Sequence, residues 1–303
     1  MRVYVCFDDT DVLGADRGTG KLVRWFTERL PEGCTTWGVV RQQLIVHPDV
    51  PYTSHNSSGC AVIDVPDESY LPGLATLGAE HIAEHFIEGS DPGLCIAPET
   101  ADLAPLIAFG NRAAVEVVTQ DDARGIAAAA GVHLSGHGGT EDGVIGAVAG
   151  VGLTAGGWAG RFVDYRVPLR EFADITTVGT VEGAGITVVA VDRNVMVPKP
   201  SDTLDTQGWL RPRLWGGRPV APVTTLGPNA WTAIGKQRDA GGGHAGSRRA
   251  MRGGRRWIST ALPWRSSWRA RAGVQGARAR PSAACTATRV VLPVSARASS
   301  SRR

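Results

Sequence analysis

Apolar and polar residues alternate over residues 2–7, a run rich in Val, Tyr and Phe that predicts a strand. Leu22, Phe26 and Leu30 then recur at i, i+4 and i+8 with Pro31 behind them, the spacing of an amphipathic helix and its stop. Residues 37–46 and 60–64 predict further strands, 74–87 a helix and 93–97 a short buried strand, while 112–118 fits helix or strand. Thr119 and Asp122 form a capping-box start for a helix over 121–130, which Gly131 ends. An apolar helix over 144–151 follows a glycine-rich turn, and 162–165 predicts a strand. From about residue 168 the chain changes to short β-rich runs at 177–181, 186–191 and 195–197. Alternating elements followed by strands predict an α/β (α+β) fold. It would comprise a mixed-sheet domain over 1–167 and a small sheet-rich domain over 168–237.

Charge alters this picture more than overall composition does. The chain of 303 residues has a formal net charge of +3. From Arg238 to the end there are fifteen arginines, no lysine and one acid, so that stretch carries +14 and the remainder must carry −11. The body is acidic and its C-terminal stretch basic, which argues against polyanion binding by the body as a whole. Residues 238–303 lack Lys, Glu, Asn, Tyr and Phe and hold no helical or strand period. They read as a disordered, arginine-rich tail, in the manner of a frame-shifted product, or alternatively as an RNA-binding arm. Five scattered cysteines without CxxC spacing exclude a disulfide framework and a zinc ribbon. With no run of membrane length and no signal-peptide pattern, a cytoplasmic protein is expected.

Candidate chemistry begins at the end of the first strand, where Asp8, Asp9 and Asp11 stand within four positions. Buried unpaired charge is costly, so either a divalent cation compensates them or the turn is solvated. Magnesium fits such a cluster, because it takes one or two carboxylates plus phosphate oxygens and water. Gly18-Thr19-Gly20-Lys21 opens the following helix. It fails the Walker A pattern at Ala15 and Leu22, yet its backbone N–H groups, helix dipole and Lys21 could still hold phosphate. A second glycine turn, with Gly138, Gly139 and Thr140, offers the same anion logic, with Thr140 as helix cap and His137 accessible beside it. The loop over 47–59 is dense in hydrogen-bonding groups, and with Arg41, His55 and Asn56 it forms a candidate substrate wall. His81-Ile82-Ala83-Glu84-His85 matches HxxEH, a zinc pattern that isolated helices also produce by chance.

In their order along the chain, these segments resemble the archaeal tRNA(Ile) 2-agmatinylcytidine synthetases. The match runs through Val5-Cys6-Phe7-Asp8-Asp9-Thr10-Asp11, Gly18-Thr19, Arg41, the loop from His47 to Asn56, Gly143-Val144-Ile145-Gly146-Ala147 and residues 162–166. It covers about residues 1–166, the kinase-like ATP-binding catalytic domain of that family. The resemblance implies that Asp8, Asp9 and Asp11 bind Mg2+ and nucleotide phosphates as catalytic residues, and that Gly18, Thr19, Gly20 and Lys21 line the phosphate pocket. It also implies ATP-dependent activation of an oxygen by phosphoryl transfer, on a nucleoside, a tRNA or a smaller substrate. Gly18-Thr19 stands where the family has Cys-Thr, and the RNA-binding OB-fold and zinc ribbon have no counterpart after residue 237. These departures, with the acidic body, point toward the smaller substrate. A non-catalytic solute-binding protein using the same glycine turns is the alternative.

Overall fold

The computed structural model describes residues 1–50, 55–193 and 196–235. Tyr52, Thr53 and Ser54 of the expected substrate loop, Val195 of an expected strand and the stretch from Arg238 lie outside them.

The first half runs β1 (Arg2–Asp8), α1 (Thr19–Thr27), β2 (Thr35–Gln43), β3 (Ser57–Asp64), α2 (Leu71–His85), β4 (Gly93–Pro98), α3 (Ala104–Ala113), α4 (Gln120–Ala130), β5 (His133–Gly136), α5 (Gly143–Gly156) and β6 (Arg161–Tyr165). The second runs β7 (Ile175–Thr177), α6 (Val178–Gly183), β8 (Thr187–Ala190), β9 (Thr203–Asp205), β10 (Arg213–Trp215), β11 (Arg218–Gly227) and β12 (Ala230–Ala233). The fold is mixed α/β. The strands join one sheet in the order β5-β4-β1-β3-β2-β6-β10-β11-β12-β9-β7, with β8 paired to β11. Its pairs are antiparallel except β8 with β11 and β9 with β12.

Strand β1 lies inside the sheet between β3 and β4, and its alternation feeds two cores. Val3, Val5 and Phe7 pack with Leu22 and Phe26 of α1 and Ile82 of α2. Cys6, on the other face, joins Leu106 and Phe109 of α3 and Ala147 and Val151 of α5. Period-2 alternation in a strand buried on both faces thus becomes two apolar layers rather than one wet face. Helix α5 approaches β1 and β4 closely because glycines face them. A Cβ at Gly143 would stand 2.8 Å from the Asp8 carbonyl oxygen, and one at Gly146 would fall inside the Asp8 carboxylate. That contact sets the depth of the site.

Two expectations are corrected and one is met. Helix α3 was not foreseen; Leu106, Phe109, Gly110 and Ala113 are its buried face at i, i+3, i+4 and i+7, so the candidate helix or strand over 112–118 is only its end. Of the run 177–181 only Thr177, the end of β7, is strand, and 178–181 are helical. Thr177 accepts a hydrogen bond from the Thr180 amide, caps α6, and buries Val178 and Val181, so the cap overrides β propensity. The capping box at Thr119 and Asp122 is present as expected, with Gly131 left-handed at the end of α4.

Candidate functional site

The Asp cluster forms where β1 stops. Asp9 turns the chain in the left-handed region, at φ 49°, a conformation that Asp tolerates better than most residues. Thr10 is buried and ties the turn down. Its hydroxyl donates to Thr19 Oγ1 at 3.0 Å, Thr19 Oγ1 donates to Asp11 Oδ1 at 3.3 Å, and the Thr10 carbonyl accepts the Ile87 amide at 3.0 Å. Asp11 is thereby held at the start of α1, whose cap residue Gly18 supplies no side-chain hydrogen bond. Sequence reasoning passed over Thr10, although a Thr amid three carboxylates was the available signal.

These residues open onto a cleft of about 440 Å³, within the usual range of roughly 300–1,000 Å³ for ligand pockets. Asp8, Asp9, Asp11, Thr19, His55, Asn56 and Ser57 line it, with Asp49, Asp91 and Asp142 arriving from other segments. Leu44, Val117, Val118 and Ile145 make an apolar wall. Among the described residues no Lys or Arg lines it. Burial, followed by Asp9, pushes the Asp8 carboxyl up to about 8. Burial, followed by Asp91 and Asp11, raises Asp9 to about 6. Among the described residues neither carboxyl has an ion-pair partner, and both would gain from a cation. Among the described residues no three His, Cys, Asp or Glu side chains gather as a protein-only metal cage. Magnesium shared with phosphate oxygens and water does not require one.

The other expected residues divide. His55 and Asn56 line the cleft, where Asn56 Nδ2 donates to the Ile45 carbonyl at 2.7 Å. Gly18 and Gly20 open α1 beside Asp11, but Lys21 is exposed and lies over the Trp25 ring at 4.9 Å, away from the carboxylates. Arg41 is not itself among the described lining residues, but its Nε donates to Ser57 Oγ, which is, at 2.8 Å. His137 is held outside, its Nε2 2.8 Å from Ser135 Oγ. The Gly138–Gly139–Thr140 turn is occupied from within: the Thr140 amide donates to Asp91 Oδ1 at 2.7 Å and the Gly143 amide to the Asp91 carbonyl at 2.9 Å. Asp142, not Thr140, is the cap residue of α5. An internal carboxylate has taken the place of the expected anion, and no local sequence signal linked Asp91 to that turn.

The HxxEH residues form no zinc site. His81 is buried, with Nε2 2.9 Å from the Leu22 carbonyl and Nδ1 3.2 Å from Arg29, which also pairs with Glu84 at 2.6 Å. Both His81 nitrogens are thus engaged, one with α1 and one with Arg29 just after it. A second hollow, about 530 Å³ and lined by Arg17, Trp25, Glu28, Arg29 and His85, lies on that side. It contains none of the clustered carboxylates.

Fold and cleft together define a mixed α/β protein with a carboxylate-lined pocket at the end of an inner strand. No protein-family model and no curated protein sequence matches the chain. Solved structures of the agmatidine synthetase that acts on an isoleucine tRNA are similar to it, and they belong to the enzymes that the ordered motifs resemble. The apo enzyme is 27% identical over 50% of this chain and 35% of its own, with a TM-score of 0.42. Its complex with that tRNA and ATP is 27% identical over 50% and 36%, with a TM-score of 0.44. The complex with the tRNA, AMPCPP and agmatine is 25% identical over 61% and 44%, with a TM-score of 0.42. The matched part is thus less than half the length of those chains. Among the described residues no helix is long and apolar enough to cross a membrane.

Proposed function

We propose that the cleft binds ATP together with Mg2+ and activates an oxygen of a nucleoside-type acceptor by phosphoryl transfer, the acceptor standing in a tRNA or in a smaller molecule. The observation that carries this reading is the pairing of uncompensated carboxyls, Asp8 and Asp9, with a helix start at Gly18–Thr19. A polyphosphate would not enter a pocket whose described lining holds six aspartates and no Lys or Arg unless a cation came with it. Asp8 and Asp9 would hold Mg2+, with Asp11 held beside them by Thr19, and the ion would neutralise charge on the phosphates. The first-turn amides of α1 face the anion with the positive end of the helix dipole. Leu44, Val117, Val118 and Ile145 offer the apolar surface that a base requires. The ordered motifs shared with the synthetases support the same reaction class. The solute-binding alternative loses one of its two glycine turns, because Asp91 already fills it.

Titration calorimetry tests the proposal. ATP should bind in the presence of MgCl2, with little heat when EDTA replaces the metal, and Asp9→Ala and Asp11→Ala should each remove the binding. Undiminished binding in both variants, or equal binding in EDTA, would overturn it.

A further inference from the structure

Three arginines stand opposite one another on adjacent strands. Arg41 of β2 pairs in register with Arg161 of β6, and Arg161 with Arg213 of β10. Directly paired residues share a face of the sheet, and like charges placed so are destabilising. Among the described residues none of the three forms an ion pair. Burial lowers the pKa of Arg41 and Arg161, and in each case the next arginine of the row lowers it further.

Arg211 and Arg170 extend the row. Both guanidiniums lie against the Trp209 ring, at 3.9 and 4.2 Å from its centroid. The Trp209 indole nitrogen is buried without a hydrogen-bond acceptor. At the other end, Arg41 is bonded to Ser57, which lines the carboxylate cleft. A body whose net charge is −11 has therefore collected a line of cations, flanked by an indole, that ends beside a residue lining the cleft. Among the described residues Asp164 stands near Arg170, and Arg213 lies 5.9 Å from the Trp215 ring centroid, but no ion pair offsets the repulsion along Arg41, Arg161 and Arg213, whereas a run of phosphates would.

We propose that this row is a binding track for the phosphate backbone of a polynucleotide, running from Trp209 to the rim of the cleft. It deepens the preceding proposal by supplying a partner surface, and it rests on that proposal only for what happens at the cleft end. Backbone binding of this kind is sequence-tolerant and strongly salt-dependent.

The test measures binding of a labelled single-stranded RNA to the full chain by fluorescence anisotropy across a salt series. Wild type is compared with Arg161→Gln, Arg213→Gln and the double variant. Because the fifteen arginines after Gln237 are common to all four proteins, the difference between them reports the row. The double variant should lower the slope of log K against log salt by about 1.4, close to 0.7 for each lost phosphate contact. It should also weaken binding several-fold at low salt, while its thermal midpoint stays level or rises because a repulsion is gone. Binding of ATP with Mg2+ should be unchanged in these variants, so failure of the track and failure of the cleft are separately visible. A slope and affinity equal to wild type in the folded double variant would overturn the proposal. So would competition by inorganic tripolyphosphate as effective as RNA at equal phosphate concentration, which would mark a general anion site.

Discussion

Asp8→Asn should separate stability from function in opposite directions. The wild-type carboxyl, raised from 3.8 to about 8, holds a proton in the folded state that the unfolded chain releases near 3.8. The folded state therefore binds more protons between those values, and stability falls as pH rises through the window. Below about pH 3.8 both states are protonated and the cost is absent; above about 8 it is complete. At pH 7 the gap, at about 1.36 kcal/mol per pH unit, sets a ceiling of about 4 kcal/mol, and partial exposure of the group reduces this to roughly 2 kcal/mol. Asn fills the same space without the charge. The variant should melt about 4–8 °C above wild type near neutral pH, with the difference closing toward pH 4, as followed by circular dichroism. Binding of ATP with Mg2+ should be lost in the same variant. In wild type, that binding should release protons below pH 8 and tighten as pH rises. A melting point equal to or below wild type, with no dependence on pH, would show that the carboxylate is already compensated by the protein and would refute the reasoning.

Gly146→Ala puts a methyl group into the space of the Asp8 carboxylate. Overpacking should cost about 1–3 kcal/mol, partly offset by about 1 kcal/mol of helix propensity, and ATP affinity should fall because Asp8 must move. Urea titration checks the first, as a lower midpoint at unchanged slope, and calorimetry the second. His81→Ala should lose about 2–3 kcal/mol through the vacated space and the broken bond to Leu22. Zinc or EDTA should leave the wild-type melting point where it is, whereas a zinc-dependent rise in wild type that vanishes in the variant would restore the HxxEH metal site.

Much of the first half was legible because its signals are local. The strand before Asp8, the helix carried by Leu22 and Phe26, and the capping box at Thr119 depend on residues within a few positions of one another, and each is present. Helix α3 carries an equally plain period in Leu106, Phe109, Gly110 and Ala113, directly before the ambiguous run that follows it. At 177–181 two local signals competed. The hydroxyl cap of Thr177 determined the outcome because it satisfies backbone groups that a strand there would have had to pair elsewhere.

By itself the sequence determined where negative charge would concentrate: three carboxylates at a strand end, a glycine-opened helix after them, and an acidic body set against a basic C-terminal stretch. Tertiary structure alone decided what meets that charge. Glycines on α5 let the helix settle onto Asp8 and burial raises its pKa, while Asp91 reaches across to fill the second glycine turn. Lys21 turns to Trp25, and strand register lines up three arginines that are far apart in the chain. The division has a physical cause. Caps and periods are settled by bonds to near neighbours, whereas desolvation and long-range register exist only once the sheet has closed and the helices have packed onto it.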